Sequence, residues 1–541
     1  MVYILPLNRH LPKTLKGNVI RKKVIQEYDQ EIEKMYNDFL QGPTTSATGE
    51  TDTNESIYEF LTQSASQVLR KDLIDADTSL FDYGLNSLLA IQLRNKLAAR
   101  FQNIPSNFLF EHPTLESMKE ALTTNGLLKE GEQREGRYQD TQNLLNDYIK
   151  RADADFPLAS TNSITLDDEQ HTILLSGATG SLGAFMLRDM ILSPRVKKIY
   201  CLVRGTNYMQ RLVKSFQDRL LDISLLENTD KVEVLPMELK EPYLGWGKET
   251  YDKLKNEVNI VQHCAWLVDF NQPVQHFDRE CIQGMYNLLQ FAFRKENPIH
   301  VHVVSSISAT AAYGKPTVPE SPSPKDPHVA MPMGYAQSKY IVEHLFNYLT
   351  TQKNFPCIVE RMGQVVGDNV HGVWNTSEQY PLLMVGGTQL GLMPNLKGIN
   401  VDWLPVDYAA KSIVEVMLKM RHTELQTIQQ QGYYHIVNPN RADWSEVLKA
   451  MRACGMKFDV VEPEEWVNIL SKHQDNPAYR LMSFFEANFK SSPGEEQSMP
   501  IWETEKTVQV APVLAKSPAF GESLLKKHLE FWRNVGFYTP L

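Results

Sequence analysis

The sequence predicts a multidomain protein in which a small helical bundle precedes an α/β domain built on a doubly wound parallel sheet. With 541 residues, the chain is long enough for several domains of ordinary size. Residues 57–97 place apolar side chains at helical spacing. After Gln170 the pattern changes to short apolar runs separated by segments of helix length, which is typical of parallel strands joined by helices.

Composition and charge narrow the class of protein. Apolar residues make up 42% of the chain, which fits globular domains with large cores. The net charge is −10 and no long run of Lys or Arg is present, so we expect no nucleic-acid partner. Five scattered cysteines without a CxxC pair predict reduced thiols and no metal site. Since no signal peptide or membrane span is recognisable, we expect a cytoplasmic protein without a membrane partner.

Two polar stretches predict the domain boundaries. The first, Gly42–Glu55, has no large apolar side chain and cannot bury enough surface to fold. The second contains a charged segment with helical spacing near Tyr138 and is interpreted as a spacer. Helices after about Gly372 are expected to form a smaller lobe of the α/β domain over its substrate. The predicted divisions are an N-terminal segment at 1–42, a four-helix bundle at 55–124, a linker at 125–167 and the α/β domain at 168–541.

The N-terminal segment resembles the end of an adenylation domain. Leu11–Val24 is similar to the last motif of that family, in which a lysine beside a glycine contacts the acyl adenylate. Here Lys16 precedes Gly17, whereas the family has the order Gly-Lys. The alternative interpretation is a basic surface turn leading into a helix. The resemblance implies an adenylation domain as a partner, in a longer parent chain or in a separate protein.

A serine lies at the start of a predicted helix in the bundle. Ser87 precedes the run LLAIQLRNKL, and Gly84 can take the positive φ of the turn before it. A serine in this position can be a simple N-cap. However, Leu80–Leu97 and Phe108–Thr114 together resemble an acyl or peptidyl carrier domain. The resemblance implies that a phosphopantetheinyl transferase attaches 4′-phosphopantetheine to Ser87, where the helix dipole favours the phosphate.

A glycine-rich turn lies between the first predicted strand of the α/β domain and the helix after it. The GxxGxxG spacing lets backbone N–H groups approach a pyrophosphate at the helix N-terminus. A tight strand–helix turn without a ligand is the alternative. We expect cofactor contacts along this turn from Gly177, Thr179, Gly180, Ser181, Leu182 and Gly183.

The second predicted strand indicates which dinucleotide binds. A domain that prefers NAD would place Asp or Glu at the end of this strand to bind the ribose 2′-hydroxyl. This sequence has Arg204, a cation suited to a 2′-phosphate. Arg211 is a second candidate contact, with a solvated helix residue as the alternative. The sequence therefore predicts NADPH as the cofactor.

A YxxxK pair predicts the catalytic group. Tyr335 and Lys339 lie on one helical face, downstream of a strand that ends in two serines. A tyrosine with an ordinary pKa near 10 is a weak proton donor until a neighbouring cation and a ribose hydroxyl lower that pKa, and Lys339 supplies the cation. Ser306 can hold a carbonyl oxygen by a hydrogen bond, with Ser305 and Ser308 as alternatives.

The order of glycine turn, serine strand and YxxxK pair resembles the extended short-chain dehydrogenase/reductase family, over about Thr172–Leu541. Within it, VRG after the second strand, His263–Asn271 and Glu360–Asp368 look most like thioester reductase domains of multidomain synthetases, including relatives of aminoadipate and aryl acid reductases. The resemblance implies a Rossmann fold and catalytic roles for the tyrosine, lysine and serine. It also implies that Tyr335 and Lys339 contact the cofactor. It also places Asp269–Asn271 near the nicotinamide or the substrate, with a surface turn as the alternative, whereas His435 is expected to be structural.

Together, these resemblances imply NADPH-dependent release of a carrier-bound acyl thioester as an aldehyde, with a second reduction to an alcohol left open. The chain then looks like the C-terminal part of an adenylation–carrier–reductase enzyme, similar to nonribosomal peptide synthetases of secondary metabolism, or like the product of a shortened reading frame. Two alternatives are a carrier or scaffold protein with a non-reductive release domain, and a nucleotide-sugar epimerase or dehydratase of the same fold.

Overall fold

A computed structural model describes most of the chain after residue 56. The chain divides into two compact units, Met1–Gln133 and Arg134–Leu541. The adenylation-like segment at 1–42, which includes Lys16, lies outside the described residues. The described ranges are 57–71, 74–85, 87–98, 100–101, 104, 108–123, 130–160, 170–270, 272–489 and 499–540.

The first unit contains the predicted helical bundle. Its core is built from side chains such as Leu61, Leu93 and Leu115, which are fully buried because helical spacing places the apolar residues on one face of each helix. The turn before the second helix is closed by a hydrogen bond of 3.0 Å from the Gly84 N–H to the Phe81 carbonyl, and Gly84 has a φ of +99°. The described helices of the bundle are α1 (Ile57–Leu69), α2 (Ser87–Ala98), α3 (Phe108–Glu111) and α4 (Leu115–Thr123).

The second unit is built on a parallel sheet, as the alternating pattern of the sequence predicts. The described strands are β1 (His171–Ser176), β2 (Val196–Val203), β3 (Val232–Pro236), β4 (Ile260–His263), β5 (His300–Ser306), β6 (Thr317–Val318), β7 (Cys357–Met362), β8 (Val365–Val366), β9 (Leu392–Pro394), β10 (Asn400–Val401), β11 (Leu404–Pro405), β12 (Tyr433–Ile436), β13 (Ala442–Asp443), β14 (Asp459–Val461) and β15 (Ile501–Trp502). Seven of them form one sheet in the order β12-β7-β5-β4-β1-β2-β3, with every pair parallel.

Helices cover both faces of this sheet. The described helices after residue 129, which also include those of the C-terminal part of the chain, are α5 (Glu130–Asp155), α6 (Ser181–Leu192), α7 (Tyr208–Gln217), α8 (Lys248–Glu257), α9 (Val274–Phe277), α10 (Gln283–Ala292), α11 (Gly334–Lys353), α12 (Gln379–Leu390), α13 (Val406–Met420), α14 (Leu425–Gln431), α15 (Trp444–Ala453), α16 (Pro463–Leu470), α17 (Met482–Phe489), α18 (Glu505–Val510) and α19 (Glu522–Asn534). Helices α10 and α11 share one hydrophobic core with the sheet, and α6 and α13 share the core on its other face. The expected doubly wound fold is confirmed.

The strand order reverses between β1 and β4, which lie side by side at the centre of the sheet. Ligands of such sheets bind in the crevice at the carboxyl ends of the strands, at the point of reversal. The loops after these two strands meet there: a Cβ added to Gly177 would lie 2.9 Å from the Ala265 backbone nitrogen. The fold therefore places the glycine turn at the position where a dinucleotide site is expected.

The C-terminal part of the chain has a third core of its own, as expected for a smaller lobe. Four tryptophans, each exposed by 2% or less, contribute to it together with α12, α15, α16 and α19: Trp374, Trp403, Trp466 and Trp532. Short two-stranded pairs such as β9 with β14 connect its helices. None of the helices in the described part of the chain is long and apolar enough to cross a bilayer.

The segment interpreted as a spacer contains a longer helix than expected. Helix α5 has 26 residues, and from Arg134 onwards it belongs to the second unit. Its buried residues, at alternating spacings of three and four, form one apolar stripe and are Tyr138, Thr141, Leu145, Tyr148 and Ala152. The Tyr148 hydroxyl also donates a hydrogen bond of 2.6 Å to the Asp278 carboxylate. This helix is therefore part of the α/β domain, because its stripe completes the core under α10 and α11.

Candidate active site

The glycine turn follows β1 and leads directly into α6. Gly177 has a φ of +80°, and its carbonyl accepts a hydrogen bond of 2.9 Å from the Gly180 N–H. A Cβ at Gly183 would lie 2.0 Å from the Gly177 carbonyl oxygen, so only glycine lets the first turn of the helix pack on the strand end. The helix begins at Ser181, after an N-cap, Gly180, that has no side chain to bond to the first N–H groups. This arrangement fits a pyrophosphate.

The other predicted residues of this turn have different surroundings. Ser181 is exposed at the helix start, Leu182 is half-buried against the core, and the Thr179 carbonyl accepts a hydrogen bond of 3.0 Å from the Ser215 hydroxyl. Thr179 is therefore tied to α7 through its backbone. The candidate pyrophosphate contacts are consequently backbone groups rather than side chains.

A Gly183→Ala variant is expected to bind the dinucleotide at least about tenfold more weakly, because the added Cβ pushes α6 away from the strand and removes charge-assisted hydrogen bonds to the pyrophosphate. The change in fluorescence on NADPH binding measures this. Gly136→Ala is the matched control, since Gly136 is also helical but has nothing within 4 Å of an added Cβ. Equal NADPH affinity in the Gly183→Ala variant and the parent would exclude this turn as the dinucleotide site.

The two predicted arginines meet at the carboxyl end of β2. Arg204 is exposed in the turn after the strand, and its carbonyl accepts a hydrogen bond of 2.7 Å from Nη1 of Arg211. A Cβ at Gly205, which has a φ of +82°, would lie 2.7 Å from the same Nη1. Gly205 therefore lets the Arg211 guanidinium lie against the turn that carries Arg204. Both arginines therefore lie at the strand end where a ribose 2′-phosphate is expected, Arg211 through its contact with the Arg204 backbone.

Helix α11 carries the YxxxK pair. Tyr335 is its second residue and is half-buried, whereas Lys339 is only 2% exposed. The Lys339 ammonium donates a hydrogen bond of 2.7 Å to the Val304 carbonyl and lies 5.8 Å from the centroid of the Tyr335 ring. Gly334 is required before the tyrosine, because a Cβ there would lie 2.3 Å from the Gln272 carbonyl oxygen. The structure thus holds phenol and ammonium together at the end of β5.

The three candidate serines at the end of β5 have different partners. The Ser305 hydroxyl donates a hydrogen bond to the buried Glu343 carboxylate. This hydroxyl is therefore already bonded to a group in the protein interior. Ser306 hydrogen-bonds the side chain of Tyr335. The Ser308 hydroxyl donates to Ser306 at 2.9 Å. Of the three, Ser306 is the one in contact with the candidate proton donor, and Ser308 acts through it.

Burial sets the protonation of both members of the pair. It raises the pKa of Tyr335 to about 12, although the hydrogen bond with Ser306 acts in the opposite direction. Burial lowers the pKa of Lys339 to about 7, and the nearby Glu343 carboxylate acts in the opposite direction. Tyr335 is therefore a protonated phenol at neutral pH, as a proton donor must be. Lys339 titrates within the physiological range.

A buried ion pair between Arg361 and Glu343 connects the elements that carry the site. Arg361 on β7 bonds both carboxylate oxygens of Glu343, the shortest contact being 2.8 Å, and neither side chain is more than 1% exposed. His435, fully buried on β12, accepts a hydrogen bond of 3.2 Å from Nη1 of Arg361. His435 is therefore in a structural position, as expected. Because Glu343 lies on α11 and also accepts from Ser305, the network connects the catalytic helix to the end of β5.

The loop after β4 closes one side of the site. Phe270 is 46% exposed, and its ring centroid lies 5.4 Å from that of Tyr335. Asp269 is half-buried, and Asn271 lies outside the described residues. The Trp266 ring centroid lies 3.9 Å from the Lys339 ammonium. Nothing in the sequence distinguishes Trp266 as a site residue, because a tryptophan next to a strand end is typical of core packing. Only the fold brings it to the lysine.

In the first unit, Ser87 is the first residue of α2. Asp82 is exposed in the turn before it, and Leu85, buried in the core, anchors that turn through a hydrogen bond of 3.0 Å from its N–H to the Leu80 carbonyl. The predicted attachment serine is therefore at a helix N-terminus, two positions after Leu85. A helix N-terminus is a favourable place for a phosphodiester.

Three protein families match successive parts of the chain. Residues 1–40 match the AMP-binding enzyme C-terminal domain, and residues 59–122 match the phosphopantetheine attachment site. Residues 175–413 match the NAD-binding family described as Male sterility protein. These matches indicate 4′-phosphopantetheine and a nicotinamide dinucleotide as cofactors.

Curated relatives match almost the whole chain. A carboxylic acid reductase of Neurospora crassa is 27% identical over 544 residues, which cover 96% of this chain and 50% of the relative. A 3-methylorcinaldehyde synthase of Sarocladium schorii is 30% identical over 71% of this chain and 15% of the relative. Several fungal adenylate-forming reductases also match almost the whole chain. The chain spans about half the length of the first of these relatives.

Solved structures support the same architecture. The terminal R domain of the myxalamid PKS-NRPS pathway covers 72% of this chain and 99% of its own, with a TM-score of 0.61 and 26% identity. A thiolation-reductase di-domain from an archaeal nonribosomal peptide synthetase covers 91% of this chain and 100% of its own, with a TM-score of 0.63 and 19% identity. The expected carrier domain followed by a parallel-sheet reductase domain is confirmed.

Proposed function

We propose that this chain, which joins a phosphopantetheine carrier domain to a reductase domain similar to those of adenylate-forming reductases, releases an acyl group from its carrier by reducing the thioester to an aldehyde with NADPH. The observation that carries the proposal is the arrangement at the carboxyl edge of the sheet. A protonated Tyr335, hydrogen-bonded to Ser306 and beside the buried Lys339, lies on the edge where the glycine turn fits a dinucleotide.

The chemistry follows from these side chains. A bound NADPH supplies the hydride that the carbonyl carbon gains. Ser306 and Tyr335 hold the carbonyl oxygen by hydrogen bonds, which stabilise the negative charge that develops there. Tyr335 donates a proton to that oxygen, and the Lys339 ammonium stabilises the phenolate that remains. The C–S bond then breaks, the proton passes to the sulfur, and aldehyde and thiol leave, so that the reaction consumes one hydride and one proton.

The carrier domain explains how the substrate reaches this site. An acyl group on a tether from Ser87 has a high effective concentration at the reductase, and it does not need to bind tightly by itself. The partners are then a phosphopantetheinyl transferase and an adenylation domain that activates the acid, which agrees with the match of residues 1–40 to the end of such a domain. The five unpaired cysteines support a reducing compartment, and hence a cytoplasmic location.

The preference for NADPH over NADH is expected to fall about tenfold to a hundredfold in an Arg204→Ala variant, the size of one charge-assisted contact with the 2′-phosphate. Arg211→Ala is expected to have a smaller effect, because Arg211 also bonds the turn itself. Steady-state rates with both cofactors measure the preference. The rate with NADH is the internal control, since NADH has no 2′-phosphate and should be little affected. An unchanged preference for NADPH would show that Arg204 does not bind the 2′-phosphate.

The proposed reaction is tested with free acyl thioesters and NADPH. Oxidation of NADPH, followed by its absorbance, should equal the amount of aldehyde trapped by a hydrazine, or twice the amount of alcohol if a second reduction follows. A panel that includes aryl and aliphatic acyl groups identifies the substrate class. Release of free acid or of a cyclised product without oxidation of NADPH would instead favour a non-reductive release domain.

A further inference from the structure

The lysine of the catalytic pair has an unusual environment. The Lys339 ammonium is almost fully buried and makes no ion pair among the described residues. It donates a hydrogen bond to the Val304 carbonyl. A buried ammonium without a carboxylate partner loses its proton easily, because desolvation disfavours the charged form. Something else must therefore favour the cation if it is to stabilise the phenolate of Tyr335.

The group that can favour the charged form of Lys339 is an aromatic ring. The face of Trp266 lies 3.9 Å from the Lys339 ammonium, measured to the ring centroid, which is closer than any other aromatic ring recorded around this lysine. The ring is fixed at its other end, because its indole N–H donates a hydrogen bond of 3.2 Å to the Ser338 hydroxyl. Ser338 in turn donates at 2.7 Å to the Tyr335 carbonyl. Trp266 is thus attached to the same helical turn that carries both catalytic residues.

We propose that Trp266 is a positioning residue of the reductase site, whose ring holds Lys339 as an ammonium and in register with Tyr335. The inference rests on the proposed function, in which Lys339 acts as a cation. A cation over the face of an indole is attracted by the ring quadrupole, and this attraction is strongest where water is excluded. The Val304 carbonyl fixes the ammonium from β5, and the indole fixes it from the loop after β4.

Other titratable groups face the lysine from every side. They are Tyr335 and Glu343 on its own helix, His263 at the end of β4, Cys264 in the following loop, and Cys281 in the turn between α9 and α10. Burial raises the pKa of both thiols and lowers the pKa of His263 to about 3, so these three groups are neutral at pH 7. The negative charge of the Glu343 carboxylate is already compensated by its ion pair with the Arg361 guanidinium. The indole is therefore the main tunable contact of the cation.

The test measures the titration of Lys339 directly, in the full chain without cofactor. Lysine labelled with ¹³C at Cε is followed by NMR as the pH is raised, and Lys339→Met assigns the signal. The parent should titrate near pH 7, as its pKa of about 7 implies. In Trp266→Leu the midpoint should fall by about one pH unit, because the ring no longer favours the charged form. Trp266→Phe keeps a ring face but loses the N–H, and it should show a smaller fall.

The second measurement is the pH profile of turnover. Loss of the ammonium should move the alkaline limb of the profile to lower pH in Trp266→Leu, by the same shift as in the NMR titration. Trp246→Leu is the matched control, since Trp246 is also half-buried but donates to the Pro236 carbonyl and makes no recorded contact with Lys339. Its profile should not move.

The two proposals fail in different ways. If the parent reduces no thioester, the proposed function is wrong, whereas the NMR titration still tests the contact between Trp266 and Lys339. An unchanged midpoint of Lys339 in Trp266→Leu overturns the inference. If Trp266→Leu does not fold, an unchanged midpoint in Trp266→Phe, together with an unchanged alkaline limb, overturns it as well.

Discussion

A Ser87→Ala variant is expected to gain no mass when it is incubated with coenzyme A and a phosphopantetheinyl transferase, whereas the parent gains one phosphopantetheine. The hydroxyl at the start of α2 is the proposed nucleophile for the phosphodiester, and alanine has no atom that can replace it. Intact-protein mass spectrometry measures the difference. Reduction of free acyl thioesters should remain close to the parent rate, because these substrates do not need the tether.

The control for this result is Ser66→Ala, which removes a hydroxyl from α1 of the same bundle and should load normally. Circular dichroism of both variants shows whether the helices are retained. A Ser87→Ala protein that still acquires phosphopantetheine would place the attachment site elsewhere, and the carrier assignment of this serine would be wrong.

A Tyr335→Phe variant is expected to turn over about 10²–10⁴ times more slowly, the range for loss of a positioned general acid. Its NADPH affinity should be nearly unchanged, because the ring still packs between Phe270 and Phe277. Single-turnover oxidation of NADPH at saturating cofactor isolates the chemical step. A parent-like rate in Tyr335→Phe would mean that another group supplies the proton.

Two further variants separate the roles around this tyrosine. Ser306→Ala should cost less than Tyr335→Phe, because it removes one hydrogen bond to the developing oxyanion and leaves the proton donor in place. Lys339→Ala should weaken both turnover and cofactor binding, since we expect the lysine to contact the nicotinamide ribose as well. If all three variants lost the same factor, the site would act as one structural unit and the roles could not be divided.

Local patterns predicted the parts of the molecule that depend on neighbouring residues. The spacing of Gly177, Gly180 and Gly183 indicated a turn that only glycine can form, and the close approach of Gly183 to the Gly177 carbonyl gives the physical reason. The Tyr335–Lys339 spacing placed both side chains on one helical face, as observed. Ser306 was the predicted contact of the carbonyl oxygen, with Ser305 and Ser308 as alternatives. The partners that distinguish these serines, Glu343 for Ser305 and Tyr335 for Ser306, are distant in the sequence and could not be predicted.

The buried face of helix α5 has a recognisable sequence pattern. Its sequence is strongly polar, but Tyr138, Leu145 and Tyr148 recur at helical spacing, which predicts one buried stripe. The contact between Trp266 and Lys339 gave no such signal, since 73 positions separate the two residues and the fold alone joins β4 to α11. Contacts between sequence-distant elements are thus the part that the sequence did not predict.

In the proposed reaction, the thioester carbonyl is reduced by hydride from the nicotinamide. The most direct measurement loads an acyl group onto the phosphopantetheine of the carrier and adds NADPH deuterated at C4, one stereoisomer at a time. With one of the two stereoisomers, the released aldehyde should carry one deuterium on its carbonyl carbon, in an amount equal to the NADPH oxidised. Release of an acid or a cyclised product, or of an aldehyde without deuterium from either stereoisomer, would contradict it.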